Sequence, residues 1–194
     1  MPVPPERCRP LNACPIRDDG DLVLYWMIAF RRPFHNFALQ RAVERALALG
    51  KPLVILEGLR CDYPFAGDRL HRFVLDGMAD HVRHFAAYPV VYHPYVEAHS
   101  QAGKGLLEAL AARACLIVAD DYPAFFLPRM VAAAADRVPV LLEAVDANGI
   151  LPLRVADRAF PTAYAFRRFL QKTLPGHLLD VPLADPLAGV SLPE

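Results

Sequence analysis

The chain has 194 residues, 55% of them hydrophobic and 22% charged, which is enough apolar content to bury the core of one domain and too much for disorder. Its 21 Lys and Arg balance 21 Asp and Glu, so the chain as a whole offers a polyanion no electrostatic attraction and any nucleic-acid contact has to be local. Apolar stretches run to fewer than ten residues, far below the roughly 20 that span a bilayer, and MPVPPERCRP lacks the apolar core of a signal peptide, so a cytoplasmic protein is expected.

Residues 1–20 are rich in proline and end in the turn Asp18-Asp19-Gly20, which predicts an irregular leader. Leu22 to Ile28 then forms a near-continuous apolar run, the pattern of a strand buried on both faces. Asn36 is a good N-cap for a helix to about Leu49, which Gly50 stops. Pro52 to Glu57 repeats the buried-strand pattern, and Asp68 to Phe85 carries apolar residues at helical spacing. Pro89–Tyr92, Cys115–Ala119 and Val138–Val145 read as further strands, with helices over Leu106–Arg113 and Leu127–Asp136 between them. The cysteines (Cys8, Cys14, Cys61, Cys115) have no C-x-x-C spacing and are expected to be reduced thiols.

This alternation predicts an α/β fold: a Rossmann-like, doubly wound, five-stranded parallel sheet with helices on both faces and right-handed crossovers. Strand order stays open. A 3-2-1-4-5 order would put the switch point between the first and fourth strands, beside the loop of Arg31 and Arg32 and the pair Asp120 and Asp121. From Asn148 the pattern changes. Asp157 to Thr173 mixes aromatic and basic residues, and Pro182, Pro186 and Pro193 leave the last 20 residues reading as a linker.

The strand-end positions are the candidate ligand contacts, although the chain has neither Gly-x-Gly-x-x-Gly nor Gly-Lys-Ser/Thr. Arg31 and Arg32 suit an anionic tail or a phosphate, or else a salt bridge to Asp120 or Asp121. Those aspartates suit a ribityl hydroxyl, or a cap or ion pair. Glu57 ends the second strand, and Gly58 after it would let a ring approach the backbone, unless it is a plain turn glycine. Tyr95 and Glu97 are weaker candidates. His35 would touch a ligand or make a local hydrogen bond. His71, His81 and His84 share one helix without a third metal ligand, so no metal is expected and all three are expected to face solvent. No catalytic residue is assigned, and the Gly-x-Ser-x-Gly elbow of a hydrolase is absent.

VLYWM at 23–27 with Asn-Phe-Ala-Leu at 36–39, ADDYPAFFLPRM at 119–130 and VDANGILPL at 145–153 together resemble the N-terminal α/β domain of DNA photolyases, nearest the class II cyclobutane pyrimidine dimer group. The resemblance covers about residues 21–173. It implies an antenna-type domain over 21–153, then a helix and linker over 154–194 leading to an FAD-binding helical domain outside this chain. It also implies a deazaflavin or folate antenna here, and light-driven repair of damaged DNA by the full-length protein. Without the FAD domain this chain is not expected to be catalytic. It departs from the family pattern at His35 and at Arg31-Arg32-Pro33. The region around Phe160 to Lys172 fits an interdomain surface or a DNA-phosphate contact. The rival reading is a self-standing nucleotide- or flavin-like-binding module with a regulatory role.

Overall fold

The computed structural model describes residues 1–193. One sheet contains β1 (Cys8–Pro10), β2 (Leu22–Met27), β3 (Leu53–Leu59), β4 (Val90–Val96), β5 (Ala114–Asp120) and β6 (Leu141–Val145). Between and after them run α1 (Phe37–Leu49), α2 (Asp68–Phe85), α3 (Leu106–Ala111), α4 (Leu127–Ala135) and α5 (Ala163–Thr173). The order is β1-β6-β5-β2-β3-β4, with every pairing parallel except that of β1 with β6. This is the α/β, doubly wound sheet that the alternation of patterns predicts, with the five expected strands in 3-2-1-4-5 order and one more added at the edge.

The extra strand comes from the leader, which is regular over Pro5–Pro10 and irregular from there to Gly20. Cys8 pairs with Val145 and Pro10 with Glu143. The buried Arg7 donates to the carbonyls of Asp146, Gly149 and Ile150 and stacks 4.3 Å from the Phe37 ring centroid. Three residues ending in proline carry too little periodicity to read as a strand, and a proline is tolerated because β1 lies at the sheet edge. Gly20, at the leader's end, passes so close to β5 that a Cβ would lie 2.6 Å from the backbone nitrogen of Cys115. Two boundaries also differ from expectation. β4 continues past Tyr92 through Pro94, tolerated at the opposite edge, while β6 begins only at Leu141.

Alternation along the central strands divides the core into two layers. Val23, Tyr25 and Met27 of β2 face α1 and Phe85 of α2, whereas Leu22 and Leu24 face Ala111 of α3 and Val131 and Ala135 of α4. All of β5 is buried, as a parallel strand covered on both faces has to be. Asn36 caps α1 by accepting from the backbone N–H groups of Ala38 and Leu39, and Gly50 ends that helix at φ 61°.

Beyond α5 the chain folds back onto the α1 layer, where Leu187 and Leu192 are buried. The Leu183 N–H donates to Gln40 Oε1. By contrast, α5 has no buried residue, and its Phe166 and Phe169 pack with Phe160. All four cysteines are free thiols. Among the described residues no helix is long and apolar enough to cross a membrane.

Candidate functional site

The sheet's carboxyl end is organised by Asp120, the last residue of β5. Its Oδ2 accepts from the backbone N–H groups of Ile28, Ala29 and Phe30 at 2.9, 2.7 and 2.9 Å, and its Oδ1 accepts from the Tyr25 hydroxyl at 2.8 Å. Asn36 Nδ2 in turn donates to that hydroxyl and to the carbonyls of Phe30 and Arg32. Asp120 therefore shapes the β2–α1 loop from inside. Burial raises its carboxyl above the ordinary range despite these donors, and burial beside Asp120 lifts the Tyr25 phenol well above its own.

A second buried carboxylate, Glu57, lies near the end of β3 on the α1/α2 side. Arg31 Nη1 donates to it at 2.8 Å, the Tyr92 hydroxyl at 2.6 Å, and His81 Nδ1 lies 2.7 Å away. Burial alone would raise this carboxyl. The hydrogen bonds from His81 and Tyr92 and the Arg31 charge outweigh that and hold it below the ordinary glutamate value. The partner of Arg31 is thus Glu57, with a second bond from Nη2 to the Gly58 carbonyl at 2.8 Å, and neither Asp120 nor Asp121. His81 corrects another expectation: it is buried, because α2 turns it onto the sheet to meet Glu57.

On the opposite face, over the ends of β2 and β3, lies an open and mainly apolar cleft of about 1060 Å³. Trp26, Leu56, Gly58 and Tyr95 are contributed by the strands, Tyr63 and Phe65 by the β3–α2 loop, and Phe125 and Phe126 by the β5–α4 loop. Trp26 is half-buried and faces this space rather than lying sealed inside its strand. A Cβ on Gly58 would meet nothing within 4 Å, so the protein itself leaves the backbone open there. Among the described residues, four non-glycine ones adopt left-handed backbone: His35, Phe65, Gln101 and Phe125. The last three all line this cleft, and such conformations persist at cost where surrounding structure imposes them, commonly around binding sites. Phe65 and Phe125 are also among the most exposed large apolar side chains. The arrangement suits a flat aromatic ring laid over Gly58 and Trp26.

The seven predicted ligand positions do not converge. Arg31 and Gly58 line the large cleft, while Glu57 lies behind them on the other face of the sheet. Asp120 and Asp121 border a separate cavity of about 200 Å³ near Arg9 and Pro128. There Asp121 takes a two-pronged contact from Arg9, at 2.8 and 3.2 Å, that ties β1 to β5. Arg32 donates to the His35 carbonyl and lies over Phe30, and the exposed His35 gives its N–H to the Ala184 carbonyl. Tyr95 and Glu97 do line the cleft, and Glu97 is held by the N–H groups of Cys61 and Gly103.

Lys104 and Arg129 also line the cleft and went unmarked as candidates. No motif surrounds them, and only the approach of the β4–α3 loop and the start of α4 brings them to one space. No group of three or more His, Cys, Asp or Glu residues suited to a metal ion occurs among the described residues.

No family model matches the chain. A stretch of 75 residues, 39% of the chain, is 43% identical to the deoxyribodipyrimidine photo-lyase of Methanothermobacter thermautotrophicus. The chain spans only 17% of that relative's length. In part of its length, then, this α/β chain is similar to a photolyase.

Proposed function

We propose that this chain is the N-terminal antenna-type domain of a photolyase of the class II cyclobutane pyrimidine dimer type, and that its large cleft holds a flat pigment, a deazaflavin or a folate. The observation that carries the reading is the cleft of about 1060 Å³ at the strand ends, with Trp26 and the open backbone of Gly58 in its lining. The 43% identity to a photolyase over 75 residues supports the family, and the doubly wound sheet is the fold such a domain requires. Arg31 and Gly58 contact the pigment in this proposal. Asp120, Glu57 and Asp121 act as positioning residues that hold the loops, and Arg32 and His35 complete the β2–α1 loop.

In the complete enzyme the pigment passes light energy to reduced FAD in a helical domain, which donates an electron to a flipped pyrimidine dimer in DNA. The exposed α5, with Tyr164 66% and Phe166 42% accessible, is the surface that would dock that domain. The test is to express the complete reading frame and illuminate it with a dimer-containing oligonucleotide. Flavin and antenna absorption bands with light-dependent dimer splitting are expected. A protein that carries neither band and leaves the dimer intact in light contradicts the proposal.

A further inference from the structure

Besides its aromatic walls, the large cleft has a biased set of charges. Arg31, Arg60, Lys104, Arg129 and Arg137 line it against only Glu97 and Glu108. Three of the cations are already engaged: Arg31 with Glu57 at 2.8 Å, Arg60 with Asp62 at 2.7 Å and Arg137 with Glu108 at 3.8 Å. Glu97 is spent on the Cys61 and Gly103 backbone. Lys104, in the β4–α3 loop, and Arg129, in the first turn of α4, are left exposed, with no ion-pair partner among the described residues, and both line the one space. Two unspent cations beside an apolar chamber, in a chain of zero net charge, form a local anion-attracting surface.

From this we infer that the occupant of the cleft carries an anionic tail, a phosphate or a run of carboxylates, that Lys104 and Arg129 bind while the ring lies toward Trp26 and Gly58. The inference rests on the pigment reading of the same cleft and narrows it: a pigment that ends in a neutral polyol leaves both cations unused. Arg31 and Arg32 were the residues the sequence offered for such a tail. The structure gives Arg31 to Glu57 and Arg32 to its own loop, and leaves the task to a lysine of the β4–α3 loop and an arginine of α4.

The probes are two pairs of ligands that differ only in tail charge: riboflavin against its 5′-phosphate FMN, and 5-formyltetrahydrofolate as monoglutamate against triglutamate. Trp26 is the chain's only tryptophan and lines the cleft, so its fluorescence quenching reports occupancy. In at least one pair the more anionic member is expected to bind about tenfold more tightly at low salt, with the ratio shrinking as salt rises. K104Q and R129Q should each reduce that ratio, and together bring it toward one. The pair that discriminates identifies the tail as phosphate or carboxylate. Equal affinities within both pairs overturn the inference and leave the pigment reading standing. Absence of quenching by all four ligands and by 8-hydroxydeazaflavin overturns the pigment reading itself. Both side chains are exposed, so a thermal melt matching the parent confirms that each variant is folded.

Discussion

His81 Nδ1 lies 2.7 Å from Glu57 Oε2, a contact between two buried side chains that fastens the C-terminal part of α2 to β3 near its end. Arg31 and Tyr92 meet the same carboxylate, so one glutamate joins α2, β3, β4 and the β2–α1 loop. Because its folded pKa is depressed, the stability it contributes is fully present above the ordinary glutamate value of 4.5 and is lost as pH falls through the folded value. Glu57→Gln should cost about 3 kcal/mol at pH 7, as expected for breaking a buried ion pair, and progressively less below pH about 4.5. Urea unfolding of parent and variant across that range checks it. A constant difference would mean the carboxylate's charge is irrelevant.

Asp120 is the acceptor for three successive backbone N–H groups, and among the described residues the sole one. Asp120→Ala leaves those donors buried and unpaired, at a cost of about 3 kcal/mol or more, whereas Asp120→Asn keeps one acceptor oxygen and should cost less. Chemical denaturation of both variants tests the ranking. Equal losses would argue that the loop finds other partners.

At the far edge two arginines hold the leader with different force. Arg7 is buried and satisfies three carbonyls, so Arg7→Ala should lose about 3 kcal/mol. The Arg9 side chain is 34% exposed, and Arg9→Gln should cost about 1 kcal/mol or less. Hydrogen exchange at Cys8 and Asp146, whose backbone groups lie in or beside the β1–β6 pairing, should rise strongly only in the Arg7 variant.

Tyr164 on α5 is 66% exposed and stacks only loosely on Arg168, at 5.9 Å. Tyr164→Ser should therefore shift the unfolding free energy of this chain by less than about 0.5 kcal/mol. A loss of 2 kcal/mol in the same denaturation experiment would place α5 inside the cooperative core and remove it as a docking surface.

The fold was legible where periodicity is strong. Leu22–Met27 and Ala114–Asp120 announce themselves as buried parallel strands, and Asn36 and Gly50 bracket α1 through chemistry local to the chain. β1 was not legible, because its stability comes from Arg7 and Arg9 reaching residues more than a hundred positions away. The site was legible in part. Strand-end logic found Arg31, Gly58, Tyr95 and Glu97, all of which line the cleft. The same logic could not tell which face each strand-end residue would take. A shift of one position sends Glu57 behind the sheet while Gly58 opens onto the cleft, and the partners of Asp120 and Asp121 lie in elements far away in the chain.

The central claim, that the cleft over Trp26 and Gly58 receives a flat pigment, is tested most directly by titrating the protein with 8-hydroxydeazaflavin while following Trp26 emission. Saturable quenching is predicted, weakened by Gly58→Leu, whose side chain would enter the space now open above the backbone. Unchanged emission through the titration, with the ligand shown by dialysis to remain free, would contradict the account.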